Sequence, residues 1–247
     1  MIVISPAKRL ATNINDNTLA PTTPCFKKEA DLLAKELALL STKELSSLMS
    51  VSDGIAELNS HRYKNWNKIT GSEKRAIFQF EGDVFKHLNA TEFNEVQTDY
   101  MNKNLRILSG IYGLLKPSDE MSPYRLEMGT KHNFKGSKNL YDFWGDKIAI
   151  QINKELGGSL LFNLASEEYF SVISKYVDTE KTINFRFLSL SGGKEKVVGV
   201  IAKRARGEMA RFLIDNQIQS TDGIEKFSCM GFKFKEFNDN CFTFVSS

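Results

Sequence analysis

The sequence predicts an α+β fold, a single domain in which helices surround a mixed or antiparallel sheet and which contains a helix-hairpin-helix-like turn. Helical periodicity dominates the first hundred of the 247 residues, whereas short apolar strands and two hairpins dominate the rest. Helices and strands that are segregated along the chain, without regular alternation, are typical of an α+β fold. Because no repeat or low-complexity linker divides the chain, we expect residues 1–247 to form one domain.

The N-terminal part of the chain begins with a short apolar run, Ile2-Val3-Ile4, which predicts a buried first strand. A long loop rich in Thr, Asn and Pro is expected over residues 11–24. Periodicity and capping signals then predict helices over Lys28–Leu40, from a capping box at Ser41 to Met49, over Ser52–Trp66, after a cap at Ser72 through Ala76, Ile77 and Phe80, and over Asp83–Leu88.

Strand patterns dominate from Leu105 onward. Strands are predicted at Arg106–Leu108, Leu126–Met128, Leu160–Leu164, Ile183–Leu190, Lys196–Ala202, Lys233–Phe237 and Cys241–Val245. The turns Ser191-Gly192-Gly193 and Asn238-Asp239-Asn240 predict two antiparallel hairpins. Further helices are expected over Tyr141–Leu156 and Ala205–Asn216.

Composition places the chain among soluble globular proteins, with 41% hydrophobic and 26% charged residues. No apolar run approaches the roughly 20 residues that span a bilayer, and no charged region precedes the first apolar run. We therefore expect a cytoplasmic protein without a membrane segment or signal peptide. The net charge of +3 is compatible with a polyanionic ligand, but a nucleic-acid site would require clustered charges.

Neither a metal site nor a cofactor is expected from the pattern of ligating residues. Cys25, Cys229 and Cys241 lie far apart without Cys-x-x-Cys spacing, and the three histidines also lack ligand spacing. A redox-sensing thiol stays open as an alternative. The carboxylate pairs Glu81/Asp83 and Glu167/Glu168 would hold a divalent ion only if they converged, and helix capping is the alternative reading.

The densest local signal is the stretch Leu105–Pro117, in which an apolar run is interrupted by Gly110 and Gly113. Glycines at this spacing allow a sharp turn whose amides point outward toward an anion, and Lys116 and Arg125 follow closely enough to add charge. The spacing resembles the turn of a helix-hairpin-helix, which binds DNA backbone phosphates without sequence specificity. We therefore expect a phosphate contact at Gly110–Gly113.

Six motifs spread in order along the chain make a broader resemblance. They are Ile4-Ser5-Pro6-Ala7-Lys8, Phe80-Glu81-Gly82-Asp83-Val84, Leu108-Ser109-Gly110-Ile111-Tyr112-Gly113, Pro123-Tyr124-Arg125-Leu126-Glu127-Met128-Gly129, Asn163-Leu164-Ala165-Ser166 and Ala202-Lys203-Arg204-Ala205-Arg206-Gly207. In these the chain resembles the peroxide stress protein YaaA family. The resemblance implies a soluble bacterial protein of the hydrogen peroxide response that limits intracellular iron and DNA damage and binds DNA. It implies no catalytic activity.

The sharpest basic cluster comprises Lys203, Arg204, Arg206 and Arg211. The predicted strand and helix meet at this cluster, so the first basic residues are expected at a helix start. The helix macrodipole disfavours cations there, which indicates that a bound anion offsets the repulsion. A solvated surface face is the alternative reading.

Two further basic sites follow or flank predicted strands. Lys8 and Arg9 come directly after the first strand, where they could point into a cleft as phosphate contacts, or simply lie on the surface. Arg125 and Glu127 share a face by period-two alternation, so Glu127 either positions Arg125 for a phosphate or forms a structural ion pair with it.

The function hypothesis is a cytoplasmic protein of the peroxide stress response that grips the DNA backbone, duplex or distorted, with little regard to sequence. An enzyme acting on nucleic acid or a phosphorylated metabolite, through Lys8 or the Glu81/Asp83 carboxylates, is the first alternative. An interaction protein that regulates iron handling is the second. A deep pocket that gathers Lys8, Asp83 and Glu127 would favour catalysis, whereas dispersed phosphate contacts would favour binding. The sequence gives no oligomeric state.

Overall fold

A mixed sheet of eight strands forms the centre of the fold. The structure is a computed structural model that describes residues 1–11, 19–68 and 74–246. Its strands are β1 (Ile2–Ile4), β2 (Arg9–Leu10), β3 (Lys74–Arg75), β4 (Phe80–Glu81), β5 (Leu105–Ser109), β6 (Gly113–Leu115), β7 (Glu120–Met121), β8 (Leu161–Leu164), β9 (Thr182–Ser191), β10 (Lys194–Lys196), β11 (Phe232–Asn238) and β12 (Cys241–Ser246). The main sheet has the order β11-β12-β9-β8-β1-β5-β6 with β10 paired to β9, and β2–β4 and β3–β7 form two small separate pairs.

The middle of the sheet is parallel and its outer pairs are antiparallel. Strands β5, β1, β8, β9 and β12 run parallel, whereas β6, β10 and β11 pair antiparallel with their neighbours. Ile2 in β1 lies opposite Leu105 on one side and Phe162 on the other. All three residues of β1 are buried, as expected for a parallel strand that is covered on both faces.

Helices flank this sheet. The described residues contain α1 (Lys27–Leu37), α2 (Thr42–Met49), α3 (Asp53–Lys64), α4 (Ala76–Gln79), α5 (Asp83–Leu88), α6 (Glu95–Asn104), α7 (Leu140–Trp144), α8 (Lys147–Leu156), α9 (Glu167–Phe170) and α10 (Gly199–Asp215), with 3-10 turns at Ala90–Glu92 and Ile224–Lys226. Across these described ranges, no helix combines the length and apolarity needed to cross a bilayer. The predicted α+β fold with a mixed sheet and flanking helices is confirmed.

Several local predictions are confirmed in detail. At the start of α2 the Glu44 N–H donates to Ser41 Oγ (3.3 Å), and the Ser41 N–H donates back to Glu44 Oε2 (2.8 Å), which completes the capping box. The helix predicted over Asp83–Leu88 is α5. Both hairpins form, and Asp239 and Asn240 take the left-handed conformation that the tight β11–β12 turn requires.

The strand predicted over Lys196–Ala202 is wrong beyond its first residue. Strand β10 ends at Lys196, and helix α10 already begins at Gly199. The β-branched residues from Val197 to Ile201 favour a strand locally. The helix instead buries its small residues, among them Ala202 and Ala205, and tertiary packing therefore overrides the local preference.

Other boundaries also differ from the predictions. Leu126–Met128 forms no strand, because its alternating burial arises from an extended segment without a backbone ladder. The helix predicted over Tyr141–Leu156 is two helices, since Gly145 adopts a positive φ of 51° between α7 and α8. Strand β6 and helix α6 were not predicted, and the helix predicted through Phe80 ends at Gln79, since Phe80 pairs in strand β4. Residues 12–18 of the predicted loop and the cap at Ser72 lie outside the described residues.

The helix-hairpin-helix-like turn is a correction. Gly110 and Gly113 lie in a turn between two antiparallel strands, β5 and β6, and not between helices. The turn is buried: the Gly110 carbonyl accepts a hydrogen bond from Trp144 Nε1 (3.0 Å), and a Cβ on Gly110 would overlap the Leu126 carbonyl oxygen. The glycine spacing therefore serves close packing of the backbone, which produces the same sequence signal as an amide-exposing turn.

We expect Gly113→Ala to lower the free energy of unfolding by about 1–3 kcal/mol. Gly113 has a φ of +66°, and an added Cβ would lie 2.8 Å from the Trp144 ring. The matched control is Gly54→Ala in α3, where nothing lies within 4 Å of the added Cβ. Urea denaturation should show a loss for Gly113→Ala only, and equal stability of the two variants would contradict the packing role.

Candidate anion-binding cleft

A cavity of about 520 Å³ opens at the carboxyl ends of the parallel strands β1 and β8. The residues that follow these strands, Ser5 to Arg9 and Ser166 to Tyr169, form part of its lining. In sheets with parallel strands, ligands commonly bind in the crevice beyond the carboxyl ends. We call this cavity and its lining the cleft.

Two serines join the strand ends at the base of the cleft. The Ser166 N–H donates to Ser5 Oγ (2.8 Å), and Ser5 Oγ donates to Ser166 Oγ (3.1 Å). Ser166 precedes α9, but its side chain makes no capping hydrogen bond to that helix. The two serines therefore fix the β1 and β8 ends to each other, and the Ser166 hydroxyl has no other structural partner among the described residues.

The segment from β4 to α5 forms a second wall. A Cβ on Gly82 would lie 2.9 Å from the Ala7 Cβ, so a glycine is needed for the backbone to approach the loop after β1. Arg9 Nη2 contacts Glu81 Oε1 at 2.7 Å across the β2–β4 pair. Arg9 therefore lines the cleft as one half of an exposed ion pair.

Helix α10 forms the third wall and brings two of the predicted basic residues into the cleft. Gly207 packs so closely on α5 that an added Cβ would overlap the Val84 carbonyl oxygen. On this helix Lys203 and Arg206 line the cleft. Because α10 begins at Gly199, they lie beyond its first turn, and the expectation of cations at a helix start is wrong.

Arg206 is the cation with the strongest indication of an anionic ligand. Within residues 1–11, 19–68 and 74–246 its guanidinium makes no hydrogen bond or ion pair that would offset its charge. Burial lowers the pKa of Arg206 below its ordinary value, because water is partly excluded from the charged group. A partly buried cation without a carboxylate partner is a suitable contact for a phosphate group.

Lys8 and Arg125 also line the cleft, and Glu127 lies close to both. The Lys8 Nζ lies 2.6 Å from Glu127 Oε2, and the Arg125 Nη2 lies 3.3 Å from Glu127 Oε1. The predicted pairing of Arg125 with Glu127 is therefore present. The Arg125 Nε is buried without a hydrogen-bond partner in the described residues, so this guanidinium is only partly satisfied.

The floor of the cleft is apolar, a feature that the sequence patterns did not predict. It is formed by side chains that are each less than a tenth exposed: Val84, Phe85, Tyr124, Leu126, Leu164 and Tyr169. A second cavity of about 880 Å³ adjoins the cleft, and Lys8, Arg125, Glu127 and Glu168 line both. The two cavities therefore share a wall that includes Glu127.

The remaining predicted site residues lie elsewhere. Arg204 pairs with Asp83 (3.4 Å), and Arg211 pairs with Glu92 (3.4 Å) and Asp215 (3.5 Å). Gly110 and Gly113 are buried in the β5–β6 turn, and Lys116 lines a separate small cavity. The structure therefore brings together five of the ten predicted residues: Lys8, Arg9, Arg125, Lys203 and Arg206.

Five carboxylates also line the cleft: Glu81, Asp83, Glu127, Glu167 and Glu168. The two carboxylate pairs considered as metal ligands therefore share one cavity. Among the described residues, however, no three His, Cys, Asp or Glu side chains come close enough together to hold a metal ion. Glu168 instead accepts a hydrogen bond from the Gly129 N–H (2.9 Å) and so stabilises the turn at Gly129.

These features define a mixed-sheet protein with a charged cleft at the carboxyl edge of its parallel strands. The family model described as peroxide stress protein YaaA matches residues 1–238, so the chain belongs to that family. A UPF0246 protein of Clostridium botulinum (strain Alaska E43 / Type E3) is 40% identical over 242 residues, which cover 96% of this chain and 94% of the relative. A UPF0246 protein of Aliivibrio fischeri (strain MJ11) is 41% identical over 99% of this chain and 96% of the relative. A UPF0246 protein of Burkholderia thailandensis is 38% identical over 99% of this chain and 97% of the relative.

We expect Arg206→Met to raise the free energy of unfolding by about 1 kcal/mol, because it removes a partly buried charge and keeps the length of the side chain. Arg204→Met is the control, since Arg204 is more exposed and paired with Asp83, and a change of at most about 0.5 kcal/mol is expected. Urea denaturation at neutral pH measures both. A clear destabilisation by Arg206→Met would show that the guanidinium is a structural group.

Proposed function

We propose that this cytoplasmic protein acts in the peroxide stress response by gripping the phosphate backbone of DNA in the cleft with little regard to sequence, and so helps limit iron-dependent oxidative DNA damage. One observation carries the proposal: basic residues from three distant parts of the chain converge on one cavity, and Arg206 has no described partner there. Membership of the YaaA family supports the role in peroxide stress.

The charges of the cleft define how an anion would enter. Its five basic residues face five carboxylates, so the cleft is not a uniformly positive groove. Lys8 and Arg125 are already occupied by Glu127, and Arg9 by Glu81. Lys203 and Arg206, both on α10, are therefore the first cations that a phosphate would contact, and the cations held by Glu127 would follow only when that carboxylate is displaced.

A specific observation favours the enzyme as a second candidate. Lys8, Asp83 and Glu127 line the same cavity, the arrangement expected of a catalytic pocket for nucleic acid or a phosphorylated metabolite. Glu127 lies beside a lysine ammonium, and Asp83 lies at the start of α5. Carboxylates positioned on two sides of a bound phosphate ester are suited to proton transfer.

The binding constant for duplex DNA should fall as the salt concentration rises. A plot of the logarithm of the constant against the logarithm of the salt concentration should have a slope near −2, because each of the two phosphates neutralised by Lys203 and Arg206 contributes about −0.9. Arg206→Ala should weaken binding to any sequence and reduce the slope by about one. Arg186→Ala, an exposed residue of β9 outside the cleft, is the control for overall charge. Fluorescence anisotropy with two unrelated duplexes measures these effects, and equal losses in both variants would contradict a localised site.

Glu127→Gln should strengthen duplex binding and steepen the slope toward −4, because it releases Lys8 and Arg125 to contact two further phosphates. The same anisotropy titration measures this change. Weaker binding by Glu127→Gln would contradict the view that Glu127 competes with the ligand. If the protein instead converts a phosphorylated substrate, the variant should lose turnover while it retains binding, which separates the two candidate functions.

A further inference from the structure

The shape of the cleft restricts what can enter it. Its volume of about 520 Å³ lies within the range of about 300–1,000 Å³ that is usual for small-molecule sites. Such a cavity accommodates a single nucleotide but not a segment of double helix. The backbone of a bound nucleic acid would therefore lie at the mouth of the cleft, and only one unit of it would enter.

The chemistry of the lining changes from the mouth to the floor. Lys203 and Arg206 supply positive charge from α10, whereas Phe85, Tyr124 and Tyr169 supply buried aromatic surface on the floor. A phosphate alone would leave this apolar surface without a partner. A purely apolar ligand would leave the Arg206 charge without one. A ligand with a phosphate at one end and a flat aromatic ring at the other satisfies both regions.

We propose that the cleft binds one nucleotide unit, with its phosphate toward Arg206 and its base toward the aromatic floor. The inference rests on the proposed anion site and deepens it, since it names the ligand class. The unit has two sources: a free nucleotide, or a nucleotide that leaves the stack of a bound DNA. A base that a protein extrudes from DNA loses its stacking with the neighbouring bases. Stacking on the aromatic floor would offset this loss.

A larger side chain in place of Ser166 would fill part of the cavity, because Ser166 lines it. Its one described side-chain hydrogen bond is with Ser5 Oγ (3.1 Å), and the Ser166 N–H keeps its own bond to Ser5 when the side chain changes. Ser166→Leu should therefore occupy part of the cavity and leave α10 intact. Ser171→Leu, on an exposed serine five residues further on, is the matched control outside the cleft.

The first test titrates the protein with deoxyadenosine 5′-monophosphate and with inorganic phosphate by calorimetry. The nucleotide should bind about tenfold more tightly or better, because base stacking on aromatic side chains adds to the phosphate contact. Ser166→Leu should remove this advantage of the nucleotide over phosphate, and Ser171→Leu should keep it. Equal affinity of the wild-type protein for both probes overturns the inference, and this comparison decides the matter even if Ser166→Leu fails to fold.

The second test uses a duplex with a central 2-aminopurine and a terminal dye. Anisotropy of the dye reports binding, and brightening of 2-aminopurine reports a base that has left the stack. If 2-aminopurine brightens with the wild-type protein but not with Ser166→Leu, the bound nucleotide comes from DNA. If the duplex binds without brightening and the free nucleotide binds tightly, the ligand is a free nucleotide. Duplex binding with no preference for the nucleotide over phosphate overturns this inference alone, whereas the absence of binding by every phosphate probe overturns the proposed function as well.

Discussion

The parallel pairing of β1 with β5 and β8 is the constraint on which the rest of the structure depends. In the described order β8-β1-β5, strand β1 lies between the other two strands. Its three residues, Ile2 to Ile4, pair with both and so join β8 and β5 in one sheet. The pairing sets the position where β1 and β8 end side by side. Ser5 and Ser166 can therefore meet, and the loops that follow them become the base of the cleft.

Close backbone contacts then decide how wide the cleft is. Gly82 lets the start of α5 approach Ala7, and Gly207 lets α10 approach α5. A larger residue at either position would separate two walls, and Arg206 would move away from the apolar floor. The glycines act on the site only through packing, which is why a motif search centred on chemically reactive residues assigns them no role. Charge and packing thus contribute separately: the cations attract the ligand, and the glycines set the distance at which they do so.

Much of the fold could be predicted from the sequence, and five of the ten predicted site residues line one cavity, for identifiable reasons. The capping box at Ser41 and the β11–β12 turn depend on neighbours within four residues, so local chemistry predicts them. Lys8 and Arg206 were predicted because charges directly after a strand or within a basic run are visible in sequence. The aromatic floor was not, because Phe85 and Tyr169 look like ordinary core residues until β1 and β8 are known to be adjacent. The prediction that Gly113 lies in an amide-exposing turn is wrong, because a tightly packed turn and an amide-exposing turn require the same residue.

The central place of β1 also determines when the protein can fold during its synthesis. Ile2 leaves the ribosome about a hundred residues before its partner Leu105 and 160 residues before its partner Phe162. At the usual 5–20 residues per second, this strand therefore waits roughly ten to thirty seconds before both of its edges are paired. During that interval a strand that is fully apolar and buried in the final structure is open to wrong pairing. The segment that organises the cleft is thus one for which a nascent chain needs protection, and folding of the cleft cannot begin before Phe162 has been made.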